Sequence, residues 1–183
     1  CCYVPLMAHP DKTCGGCTLC CKLVSVEELQ KPATRCCDHQ IPGTGCGIYG
    51  ERPLSCQLYQ CTWLKVPARW MGEALRPDRC HVVLEETQQG WMARCDPDYP
   101  DAWCKGAVAS LLSLHAKNGN PVYVMCGKQM FVVGAEGAIA IPKRWVVDSN
   151  DGMRQHFTVP NAVLRKVGWG PFKFLDKMRR KWN

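Results

Sequence analysis

Cys14-Gly15-Gly16-Cys17-Thr18-Leu19-Cys20-Cys21 decides how this chain is read. Cysteines two residues apart present two thiolates to one point, and three of them reach three corners of a single centre. Gly15 and Gly16 remove side chains where the backbone must bend tightly, and they leave amide groups free to face sulfur. Cys36, Cys37, Cys46, Cys56 and Cys61 follow, so nine of the fifteen cysteines lie between residues 14 and 61. One isolated cysteine is best read as a small buried hydrophobe. Thiols at this density invite oxidation and metal capture, so they are read as ligands.

A secreted disulfide framework is the competing reading. The odd cysteine count and the uneven spacing speak against it, as do adjacent pairs such as Cys20-Cys21, which cannot easily bridge each other. Seven Trp and a patterned apolar second half give the 183-residue chain a real core, which disulfide scaffolds usually lack. A reduced, cytoplasmic protein is therefore expected. The first residues, Cys1-Cys2-Tyr3-Val4-Pro5, carry neither the basic nor the apolar region of a signal peptide. No apolar run approaches the roughly 18–20 residues needed to span a bilayer.

Outward from the cysteines, the sequence predicts an irregular metal-binding module over residues 1–64, a small α+β subdomain over 65–141 and a basic C-terminal segment over 142–183. Within the module, Ser25-Val26-Glu27-Glu28 has capping-box form and Pro32 stops the helix it would open. A second helix runs from Pro53 towards Tyr59. Beyond it, residues 80–85 and 91–94 read as strands joined by a turn at residues 88–90. Asp101 is placed to cap a helix from Ala102 to about Lys117, with Trp103, Ala107, Leu111 and Leu114 near one face. Three strands follow, at 121–125, 130–133 and 138–141, the last two joined by a turn at Gly134-Ala135-Glu136-Gly137. The order ββαβββ suggests an α+β fold: a small antiparallel sheet with one helix packed on it. Cys80, Cys95, Cys104 and Cys126 fall in these apolar-patterned elements and are read as core residues.

Neighbouring side chains diverge by about 100° in a helix, so one of Cys20 and Cys21 is expected to serve a second centre or to sit in the core. Cys56 and Cys61 would stand about 140° apart on a continuous helix. Either the helix ends between them or they serve different partners.

Taken together, Cys14-Gly-Gly-Cys-Thr-Leu-Cys-Cys21, Cys37-Asp-His39, Gly45-Cys-Gly-Ile-Tyr49, Arg52-Pro53, Cys56 and Cys61-Thr-Trp63 resemble the YkgJ-type cysteine-cluster family, described as a zinc- or iron-chelating domain with a CxxCxxCC signature. The likeness covers residues 14–64. It implies Cys14, Cys17, Cys20, Cys21, Cys37, Cys46, Cys56 and Cys61 as metal ligands, with Cys36 an addition beside the usual position. Similar clusters occur in flagellin lysine N-methylases, where the resemblance implies an iron–sulfur centre. No motif for S-adenosylmethionine is present, so that likeness stops at the cluster. His39 could ligate or donate to a ligand sulfur, or be a plain surface residue. Tyr49 and Arg52 could orient sulfurs, or be a core aromatic and a partner of Glu51.

Thiolate softness suits both zinc and iron–sulfur chemistry. The C-x2-C-x2-C run leans towards a cluster of the 4Fe-4S type. Eight cysteines equally satisfy two closed four-thiolate Zn2+ sites. Residues 165–183 contain Arg165, Lys166, Lys173, Lys177, Arg179, Arg180 and Lys181 against one Asp, interleaved with aromatics, and hold most of the formal charge of +7. Such a segment can bind nucleic acid or an anionic membrane surface, or dock as an amphipathic helix with solvated charges. Phosphate loops, zinc-protease helices and nucleophile elbows are missing, the histidines are scattered, and Glu85-Glu86 point to opposite strand faces. A non-catalytic metal-binding protein is expected. A redox accessory to a partner protein, or a nucleic-acid-binding module, are the alternatives.

Overall fold

The computed structural model describes residues 8–87, 90–142, 146–148, 155–157, 159 and 161–166. The cysteine-rich part is built from short pieces: α1 (Leu19–Leu23), a two-strand hairpin of β1 (Gln40–Ile41) and β2 (Gly45–Cys46), α2 (Leu54–Leu58) and α3 (Thr62–Lys65). A four-residue helix, α4 (Pro77–Cys80), opens on a proline and leads into the sheet. The sheet contains β3 (Val82–Thr87), β4 (Gly90–Cys95), β5 (Val122–Cys126), β6 (Gln129–Gly134) and β7 (Gly137–Ile141), in that spatial order. A helix, α5 (Gly106–Lys117), lies between β4 and β5 in the chain. A small pair, β8 (Val146–Asp148) with β9 (Gln155–Phe157), and α6 (Asn161–Lys166) complete the described elements. Among the described residues no helix is long and apolar enough to cross a membrane.

The α+β class and the five strands agree with the sequence reading, including the tight turn that pairs Gly134 with Gly137. One pairing does not. The expected sheet was antiparallel, whereas β4 and β5 run parallel and the sheet is mixed. The reason is the helix: α5 spans about 18 Å, close to the length of a six-residue strand, and carries the chain back to the starting end. A helical crossover between neighbouring strands makes them parallel.

The helix itself also departs from expectation. It begins at Gly106, whose φ of +55° belongs to the left-handed region and breaks the run. Ala102–Cys104 forms a separate 3-10 turn, and neither Asp101 nor Lys105 caps with its side chain. The buried face is Val108, Leu112 and Ala116, spaced by four, while Ala107 and Leu114 are exposed. Ser25 likewise caps nothing. Glu27–Leu29 is a 3-10 turn, and Glu28 reaches across to accept from Ser55 N at 3.0 Å and Ser55 Oγ at 2.8 Å, at the start of α2.

Strand alternation distributes the core between two sheet faces. Leu84, Ala93, Cys95, Val122, Val124 and Val133 join Val108, Leu112, Trp63 and Leu64 in one cluster. On the opposite face, Met92, Met125, Met130, Val132 and Ile141 pack with Val159 and Leu164. Beside them Val83 meets Leu19 and Leu23 of α1, with Cys17, Tyr59 and Cys61 against the same cluster. Strand β3 is thus covered on both faces, and one cover is the cysteine segment.

Candidate metal centre

Gly16 and Gly45 set the local architecture. A Cβ on Gly16 would lie 2.7 Å from Gly43 O, and one on Gly45 would lie 2.7 Å from Gly15 O. Backbone therefore packs directly on backbone, which seats the β1–β2 hairpin against the Cys14–Cys17 turn. That turn closes through Cys17 N donating to Cys14 O at 2.9 Å. Cys37 N donates to Cys21 O at 3.1 Å, Gln40 N donates to Cys37 O at 3.0 Å, and Gln40 pairs with Cys46. Helix α2 ends at Leu58, before Cys61, which is the residue preceding α3. This resolves the 140° problem, because no continuous helix joins Cys56 on α2 to Cys61 at the start of α3.

The result is a cavity of about 200 Å³ lined by Cys14, Cys17, Cys20, Cys21, Cys37, Cys46, Cys56 and Cys61, the eight cysteines singled out above. Both members of the Cys20-Cys21 doublet reach it, so neither is withdrawn into the apolar core. Close-packed interiors leave few voids larger than a water molecule, and this one has room for several. Among the described residues, no group of three or more His, Cys, Asp or Glu side chains is arranged to hold a metal ion. The sulfurs ring the space without converging on one point. All thirteen described cysteines are free thiols.

His39, Tyr49 and Arg52 line the same cavity. Tyr49 is 54 % exposed and so is not a core aromatic. The Arg52 guanidinium lies 3.7 Å above its ring, with Nε donating to Tyr49 O at 2.9 Å. Cys36 is exposed and does not line the cavity. Of the four cysteines read as core, Cys95 and Cys126 are buried and Cys80 is half-buried, donating to Val82 O at 3.3 Å. Cys104 is exposed, because the helix that was to bury it is broken at Gly106.

Two further lysines, unmarked in the sequence, flank the thiols. Lys12 is 6 % exposed, donates to Trp63 O at 2.8 Å and Met71 O at 2.6 Å, and lies 4.4 Å over the Trp63 ring. Lys31, 5 % exposed, donates to Lys22 O at 3.2 Å, Pro32 O at 3.0 Å and Val24 O. All these acceptors are neutral carbonyls. Burial pushes both lysines below their ordinary value, opposed by the Cys61 thiol for Lys12 and by Cys37 and Cys21 for Lys31. No local motif marks either residue, since their targets come together only in three dimensions.

Tyr59 closes one wall of the cavity and donates from Oη to Glu85 Oε1 at 2.6 Å; Arg94 Nε donates to the same carboxylate at 3.0 Å. Glu85 is thus engaged in a structural network while Glu86 is exposed. His81 stacks on Tyr99 at 3.6 Å and His115 on Trp91 at 4.0 Å. Arg165 and Lys166 are exposed on α6. The remaining basic residues of the tail, Lys173, Lys177, Arg179, Arg180 and Lys181, lie outside the described residues, as do Cys1 and Cys2.

Desolvation raises the thiols of Cys14 and Cys17 and takes Cys61 to about 11. Cys20 donates to Cys21, which drives Cys20 up and Cys21 down to about 7. Outside the cavity, burial puts Cys80 at about 11 and Cys95 at about 12. An unfolded thiol titrates near 9. Between pH 9 and 11 the unfolded chain has therefore released protons that the metal-free fold still holds at Cys61, Cys80 and Cys95, so stability falls as pH rises. Cys21, lowered in the fold, is nearly fully ionised in both states by pH 10.5 and offsets only a small part of this loss. The urea midpoint of the metal-free, reduced protein should be clearly lower at pH 10.5 than at pH 9. An equal midpoint would mean that these thiols are not desolvated.

No family model, curated protein or solved structure matches the chain.

Proposed function

We propose that this chain is a metal-binding protein that holds an iron–sulfur cluster of the 4Fe-4S type or Zn2+ in the eight-thiol cavity. Its role is chelating, sensing or structural, without catalysis of its own. The observation that supports the reading is that all eight cysteines line one space too roomy to be packed core. Soft thiols are the donor set that both kinds of centre take. The resistance of Cys14, Cys17, Cys20, Cys56 and Cys61 to ionisation also fits, because buried thiols without a cation stay protonated, and a bound cation would ionise them and release protons. When bound, zinc would supply a redox-inert cross-link, and a cluster would supply a site for one-electron chemistry. The resemblance of residues 14–64 to the YkgJ-type family points the same way, and the free thiols fit a reducing, cytoplasmic setting.

A second reading, a redox accessory to a partner protein, is favoured by Leu54 and Leu58, both exposed one turn apart on α2, the helix that carries Cys56. Contiguous exposed apolar surface is what a protein partner covers on docking. Anaerobic purification followed by an absorption spectrum with total iron, sulfide and zinc tests both. Bound zinc in a colourless protein keeps the first reading and sinks the second. A visible band bleached by dithionite keeps both. Purified and reconstituted protein with neither metal bound defeats them together.

A further inference from the structure

The geometry points to Cys95 and Cys126 as a redox pair: two thiols that a small disulfide such as oxidised glutathione converts into one bridge across the parallel β4–β5 ladder. Neither residue lines the eight-thiol cavity, so the proposal stands apart from whether that cavity takes metal.

The two residues end β4 and β5 and stand opposite each other in register. Paired strands run about 4.8 Å apart, inside the roughly 4.4–6.8 Å between Cα atoms that a disulfide spans. Partners in register point to the same face of a sheet. Both side chains accordingly enter the cluster shared with Val108 and Leu112 of α5, at 1 % and 7 % exposure. Each thiol is a hydrogen-bonding neighbour of the other. Filling that face does not require sulfur, since the next pair along it is Ala93 with Val124. A buried cysteine on its own is a small hydrophobe. Two that face each other can also be oxidised together.

The turn that follows β4 covers the pair. Cys95 Sγ donates to Tyr99 O at 3.2 Å, and a Cβ on Gly127, the residue after Cys126, would lie 3.8 Å from Pro97 Cγ. Cys126 is the less buried of the two and meets the oxidant first when this turn lifts. Its thiolate attacks one sulfur of the small disulfide and expels one small thiol, leaving a mixed disulfide. The Cys95 thiolate then attacks the Cys126 sulfur and expels the second. The pair loses two electrons and two protons, and the oxidant is reduced to two thiols. Burial holds both thiols protonated at neutral pH, which makes the step slow. Alignment by the sheet makes the product resistant to reduction.

The test equilibrates the whole reduced chain, without oxygen, in glutathione buffers of graded ratio. Each sample is quenched with acid, alkylated and mapped by peptide mass without reduction. A peptide bridged from Cys95 to Cys126 is expected, its yield rising through one two-electron transition while reduced glutathione is still in excess. The bridge closes the chain around α5 and restricts the unfolded state, so the melting temperature should rise by about 5–10 °C. Cys126→Ala should lose the bridge and the rise that goes with it. Cys95 and Cys126 recovered as free thiols, when the exposed Cys36 and Cys104 carry glutathione, would overturn the proposal. Either residue bridged to a different cysteine, or a Cys95–Cys126 bridge that forms only in urea-unfolded protein, would overturn it equally. The wild-type map decides the matter even where the variant does not fold.

Discussion

Asp96→Ala should destabilise the protein by about 2–3 kcal/mol, because it strips the partner from a charge that α1 carries into the sheet. Asp96 is 4 % exposed, accepts from Lys22 Nζ at 2.6 Å and also from Asp98 N at 3.0 Å. Removing the carboxylate leaves the Lys22 ammonium partly desolvated. Full rupture of a buried pair costs about 3–5 kcal/mol, and the figure here is lower because Lys22 keeps its contact to the exposed Asp98. Replacing Lys22 with Met in the Asp96→Ala background should recover part of the loss, since no uncompensated charge then remains. Urea denaturation of the two single variants and the double variant closes the cycle. A coupling below about 0.5 kcal/mol would show that the pair does not connect the two elements.

Lys31→Met should have a comparable effect on stability and a second effect that Asp96→Ala lacks. Three carbonyls lose their donor, at about 1 kcal/mol each for part-buried groups that water can partly reach. The same substitution removes a positive charge beside Cys21 and Cys37. Thiolates then become harder to form, so protons compete with metal more effectively. Acid release of bound metal should shift to higher pH in Lys31→Met than in wild type. Thermal melts read the first effect, and metal content against pH reads the second. A variant that melts early but releases metal at the wild-type pH would confine Lys31 to holding the loop.

What the sequence disclosed and what it hid follow from the range of the interactions involved. Turns and strands were legible because their causes are local: Gly134 to Gly137 forms a hairpin from its own residues, and short apolar runs bounded by turns mark β3 to β7. The crowding of cysteines between residues 14 and 61 was legible because it is a feature of the sequence itself, and eight of them line one cavity. The parallel β4–β5 pairing was not, since it depends on where α5 returns the chain. Gly106 hid the break in the helix: a single glycine inside a helical pattern is usually tolerated, and its left-handed φ is imposed by the packing of the preceding turn. Lys12, Lys31 and Arg76 stayed invisible for a different reason. Each is an ordinary surface-type residue whose partners lie 51 to 62 positions away for Lys12 and Arg76, or are freed by the end of α1 for Lys31.

Strand β3 shares Val83 with Leu19, Leu23, Cys17 and Cys61. The sulfur-bearing stretch is therefore no portable cassette. Excised on its own it would bring two leucines into water, and the strand left behind would lose its cover. Whatever moves Cys17 and Cys61 acts on that strand as well. Slow amide exchange along Val82 to Glu85 is where loading of the cavity would be felt at a distance.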